Sequence, residues 1–138
     1  MFEVGLKEAV MPIVHGWANP EQTVVRVVYP ERWNWTECLK THIELREIVS
    51  RRPEVVYMIV DFSKSPNIPA DAMSMINKVL ALLPENLGAV VLMNMPPMAW
   101  VFRRVIIRLK PELASRFPEA TSFEEAMSIV NAQRERIA

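Results

Sequence analysis

Cys38 and His42 stand four residues apart in "TECLKTHIELREIV", a spacing that puts a thiol and an imidazole on one face of a helix. Such a pair is the minimum for nucleophilic catalysis, the imidazole taking the proton from sulfur. Their neighbours are Leu39, Ile43, Leu45 and Val49, however, and a cysteine on an apolar stripe acts as a small hydrophobe. The pattern favours a structural cysteine and a non-catalytic protein over a thiol enzyme. Arg46 follows His42 by one turn on the same side. Either its head reaches past the sheet edge into water, or His42 and Arg46, with Trp35 as part of an aromatic lip, line a polar pocket. Trp33 and Trp35 in "ERWNWTE" otherwise fasten the start of this helix to the core.

A second group follows an apolar run. In "VYMIVDFSKSPNIPADAM" the residues Asp61, Ser63, Lys64 and Ser65 come directly after a strand pattern, and Asn94 follows the next one in "NMPPM". Ligands of open α/β sheets bind beyond the carboxyl ends of the strands. If the two strands are neighbours, these side chains share one rim and suit an anion or polar headgroup. Alternatively, Asp61 and Ser63 only hydrogen-bond the loop backbone. A third group lies on the helix after Pro96-Pro97. Met98, Phe102, Val105, Ile106 and Leu109 form one apolar stripe, which places Trp100 and Ile107 on the opposite side with Arg103 and Arg104. Aromatic residues and arginine together suggest a protein interface, here read as a homodimer contact in preference to an anionic membrane; the alternative is a helix whose outer side is simply covered by neighbouring segments of its own chain.

The elements that must position these groups are legible from periodicity. "PIVHGW" and "TVVRVVY" read as strands of a hairpin joined through Asn19-Pro20. A helix over "NWTECLKTHIELREIVSRR" has Asn34 or Thr36 as cap and Pro53 as stop. "EVVYMIVDF" and "GAVVLMN" are apolar without alternation, as strands covered on both faces are. Between them a helix is expected to start after Pro69, with Met73, Ile76, Leu80 and Leu83 on its buried side. A helix spans about Met98 to Lys110, "RFPEATS" supplies a short strand, and Ser122 with Glu125 makes a capping box for a last helix. The order β-β-α-β-α-β-α-(β)-α predicts an α/β fold: a single domain with a mixed, mainly parallel sheet and about four helices packed on it.

Much chemistry is excluded. The 138 residues contain three glycines, Gly5, Gly16 and Gly88, none close to another, so a glycine-rich phosphate loop or dinucleotide fingerprint is absent. Two histidines and one cysteine give no zinc-ligand spacing, and there is no Gly-x-Ser-x-Gly elbow. No cofactor is expected. Sixteen basic residues balance sixteen acidic ones, which argues against a nucleic-acid binder. Glu3, Lys7 and Glu8 interrupt any signal peptide, the longest apolar stretch is too short to span a bilayer, and a lone cysteine suits a reducing cytoplasm.

The order of elements resembles a STAS domain, and is more closely similar to uncharacterised bacterial STAS-like proteins of the SpoIIAA-like group. The pieces that carry the likeness are "WNWTE", "VYMIVDFSKS", "IPADAM" and "ATSFEEAM", covering roughly Trp17 to Ile129. The resemblance implies the fold of anti-sigma factor antagonists and a regulatory or scaffold protein acting through protein contacts. In that family a serine in Asp-Ser-Ser-Gly accepts phosphate. Here Ala70 falls on that position, so the hydroxyl is missing and no phosphorylation is expected at the family position. The alternative is a binder or carrier of a small amphipathic or lipid-like molecule, with a cavity near His42, Arg46, Ser63 and Asn94.

Overall fold

A computed structural model describes residues 10–137. Glu3, Lys7 and Glu8, on which the reading of the N-terminus rests, lie outside the described residues. The chain forms β1 (Val14–Trp17), β2 (Val24–Val28), α1 (Trp35–Ser50), β3 (Val56–Asp61), α2 (Ala72–Ala81), β4 (Leu87–Met93), α3 (Pro97–Leu109), α4 (Leu113–Arg116), β5 (Glu119–Ala120) and α5 (Phe123–Ile137). The strands lie in one sheet in the order β1-β2-β3-β4-β5. β1 and β2 are antiparallel, and every other pairing is parallel. The α/β class and mainly parallel sheet thus match the pattern read from the sequence. The helices number five among the described residues rather than about four, because the single turn α4 precedes β5.

All six residues of β3 are buried, as its unbroken apolar run requires for a strand covered on both sides. Alternation sends Val56, Met58 and Val60 to one face with Val25, Val27, Val90, Leu45 and Val49. Tyr57 and Ile59 go to the other with Val24, Val91, Ala126 and Val130 of α5. Opposite Tyr57 the register slips, with Val56 beside Leu87 and Met58 beside Val90, so β4 carries one extra residue. Gly88 sits there. A Cβ on it would lie 2.7 Å from the Tyr57 ring, a close approach that only glycine permits.

The expected caps hold with adjustments. Asn34 Oδ1 accepts the Glu37 amide at 2.8 Å, settling the cap of α1. Ser122 Oγ accepts the Glu125 amide at 3.1 Å, while the Glu125 carboxylate reaches back to the Thr121 amide, one residue before the usual partner. α2 begins at Ala72, not directly after Pro69, because Asp71 turns into the left-handed region (φ 70°) before the helix. Met73 is exposed rather than buried; Ile76 and Leu80 turn inward from this helix and Leu83 from the turn after it.

Candidate functional site

α1, α2 and α3 cover one face of the sheet without filling the space above it. A cavity of about 180 Å³ remains, walled by Val60 and Val90 of the sheet, Ile76 and Leu80 of α2, and Phe102 and Ile106 of α3. Its walls are almost wholly apolar. α2 buries only Ala72 completely and α3 buries no residue completely, so these two helices form the thinner wall.

One corner is polar and belongs to the first group of residues read from the sequence. Tyr29, just beyond β2, points its hydroxyl between Cys38 Sγ (3.3 Å) and His42 Nε2 (3.0 Å) of α1. All three side chains line the cavity. Burial pushes the Cys38 thiol up to about 11, against a smaller lowering by its hydrogen bond with Tyr29. Burial likewise lowers His42 to about 4, with a further push from His15. Burial also raises Tyr29 well above the ordinary phenol range. At neutral pH the corner is therefore thiol, neutral imidazole and phenol, with no thiolate to act as a nucleophile. Its hydroxyl and imidazole can exchange one hydrogen bond for another with a guest, and carry no charge.

The other pocket residues divide. Trp33 is buried and packs edge-on against Tyr29 at 4.7 Å and Trp35 at 5.0 Å. Trp33 Nε1 donates to Ser65 Oγ (2.8 Å) and Trp35 Nε1 to the Ala70 carbonyl (2.7 Å). The two indoles thus both fasten the start of α1 to the loop after β3 and close one end of the cavity. Arg46 does not join His42. It is exposed, and its guanidinium lies 3.4 Å from the Ala81 and Leu83 carbonyls, at the end of α2. The helical step from 42 to 46 overshoots the cavity because the buried stripe runs through Thr41, Leu45 and Val49 instead.

β3 and β4 are neighbours, and the loops beyond their carboxyl ends share a shallow depression lined by Ser63, Lys64, Ser65 and Asn94. Asp61 is not part of it. Its carboxylate is buried and accepts from Arg26 Nη2 (2.7 Å), Ser63 Oγ (2.6 Å) and the Ser63 amide (2.8 Å). Burial alone would raise its pKa, but the bonds from Arg26 and Ser63 outweigh this and hold it below the ordinary carboxylate value. Ser65 borders the depression, yet is itself buried and committed to Trp33. Ser63, Lys64 and Asn94 are exposed there. Phe62 lines both the depression and the apolar cavity, and so forms the partition between them. Ala70 is exposed and precedes the cap of α2.

The residues expected at an interface on α3 are split by the helix. Trp100 and Arg104 are exposed and stacked, the guanidinium carbon 4.4 Å from the ring centre. Arg103 and Ile107 turn inward instead and line the cavity. Arg103 is held there by the Phe117 carbonyl (Nε, 2.8 Å) and Glu119 (Nη1, 2.8 Å). Of the anticipated apolar stripe, Phe102 and Ile106 face in, while Met98, Val105 and Leu109 are exposed. Ala99, unremarkable in sequence, is the inward residue of the first turn. Tyr29 and Phe62 were equally silent as strand-end aromatics. Their positions beyond the ends of β2 and β3 are the signal that could have marked them.

Among the described residues no group of three or more His, Cys, Asp and Glu side chains is placed to hold a metal ion. None of the helices among them is long and apolar enough to cross a membrane. Comparison of the chain with protein families, with curated proteins and with solved structures finds no match.

Proposed function

We propose that the protein is a non-catalytic carrier or sensor of a small, largely apolar molecule, held between the sheet and α1–α3. The observation that carries this reading is the unfilled cavity of about 180 Å³ with apolar walls and one uncharged polar corner. The space is partly open to the surface, so a guest can enter it without the protein unfolding. An apolar cavity of about 150 Å³ stays dry and takes up benzene, so this one suits a ring or short branched chain. A longer amphipathic molecule would place its apolar part here and its polar end at Lys64, Ser63 and Asn94 once Phe62 swings aside. The order of elements that resembles a STAS-like domain belongs to the same reading, as does a cytoplasmic location. With alanine at position 70, regulation would come through ligand or partner binding rather than phosphorylation. A native mass spectrum beside a denatured spectrum of the same sample tests the proposal. Excess mass in the native spectrum alone supports it, and a bare sequence mass from several expression hosts counts against it.

A second reading rests on Trp100, whose exposed ring is stacked by Arg104. In it the protein is a regulatory or scaffold module that self-associates through α3 and contacts another protein. Changing Trp100 to Glu would then give folded monomer, and an unchanged oligomer would end that assignment.

A further inference from the structure

The outer side of α3 combines two features that the cavity does not explain. Trp100, Val101, Val105 and Leu109 are exposed, Leu109 by 72%, so an apolar strip runs the length of the helix facing water. Arg104 and Arg108 lie in the same strip and are exposed, and Lys110 follows at the helix end. The sequence from Asn86 through Pro111 contains no aspartate or glutamate. The strip is therefore of one sign. Two copies meeting face to face across a twofold axis would set these arginines against each other without an acidic partner on the strip. The complementary surface is an anionic one that also accepts an indole and aliphatic side chains.

We infer that α3 docks on the surface of a bilayer carrying anionic headgroups, lying in the interfacial plane. Trp100 and Leu109 enter the headgroup boundary, while Arg104, Arg108 and Lys110 meet the lipid phosphates. The opposite side of the same helix, through Ala99, Phe102 and Ile106, roofs the cavity. α3 thus stands between an apolar store and a lipid surface; no residue of it is buried completely, and Arg103, bonded to the Phe117 carbonyl and Glu119, ties it to β5 and the segment before it. An apolar guest would pass between bilayer and cavity beside this helix.

The test is flotation of the intact protein with vesicles of phosphatidylcholine alone or mixed with phosphatidylglycerol, at low and raised salt. Binding is expected only to the mixed vesicles, and salt is expected to weaken it. The double variant R104Q/R108Q is expected to bind about 30-fold more weakly, and W100A about tenfold more weakly or worse. Both changes are at exposed positions, and circular dichroism checks that each variant stays folded. No flotation with anionic vesicles at low salt would overturn the inference. So would flotation that neither variant weakens, or a dimer dispersed by W100A in a protein that does not float. Filling the cavity with A99L should leave flotation intact, so failure of the carrier reading and failure of membrane docking are separable.

Discussion

Ala99 gives the sharpest test of the cavity as real unfilled space. It is half-buried in the first turn of α3 and lines the void opposite the sheet. Changing Ala99 to Leu adds three carbons, worth about 2.4 kcal/mol if fully buried at about 0.8 kcal/mol each. Half-burial reduces this to about 1 kcal/mol, and leucine is nearly as good a helix former as alanine, so little is lost to backbone preference. In a well-packed core the same change would overpack and cost about 1–3 kcal/mol. The sign therefore decides between a void and a filled interior. Urea denaturation should show a higher midpoint with unchanged slope, and thermal melting a rise of about 3–5 °C. A loss of 1 kcal/mol or more would refute the void, and with it the carrier reading.

Other outcomes follow from the polar corner and the loop after β3. His42 is buried at a pKa of about 4 against an ordinary 6.5, so the unfolded chain takes up the proton first as pH falls. Stability should drop between about pH 6.5 and 4 by about 3 kcal/mol, and further below that as Asp61, held below its ordinary value, is protonated. His42→Gln, measured by urea denaturation across this range, should flatten the upper part of the loss; an unchanged profile would contradict the assignment. The Cys38 thiol, raised to about 11, forms almost no thiolate at neutral pH and should react with iodoacetamide far more slowly than a free cysteine; alkylation of the native protein as fast as that of a free thiol would contradict this. Ser65→Ala leaves the buried Trp33 Nε1 without its 2.8 Å acceptor and should cost about 1–3 kcal/mol, whereas a cost near zero would mean that the indole finds another acceptor.

What could be read beforehand was whatever depends on an unbroken local pattern. β3 and β4 announced themselves by continuous apolar runs, and Asn34 and Ser122 by cap chemistry. α3 did not yield to the same reasoning. Its residues from Met98 to Leu109 are apolar on every side except at the arginines, so a 3.6-residue period selects no single face. The inward side was decided by Arg103, which the Phe117 carbonyl and Glu119 draw under the helix from beyond its end. Of the two readings of Arg46, the one that sends its head outward holds; the pocket reading does not, since the carbonyls it approaches come from the end of α2 and the turn after it, far along the chain. Of the two readings of Asp61, the one in which it bonds the loop backbone holds at the Ser63 amide; the rim reading does not, because its partner Arg26 is 35 positions away on β2 and has no local signal. The cavity itself had no sequence signature, as it is the volume that three helices leave unoccupied.

The carrier account is tested most directly by titrating benzene into the methyl-labelled protein and following the methyl spectrum. Saturable shifts should appear at Val60, Val90, Leu80 and Ile106, which wall the cavity, and should disappear in the Ala99→Leu variant. Valines 24, 91 and 130, on the far face of the sheet, should not move. No saturable shift up to the solubility of benzene, or shifts spread equally over both faces, would contradict the account.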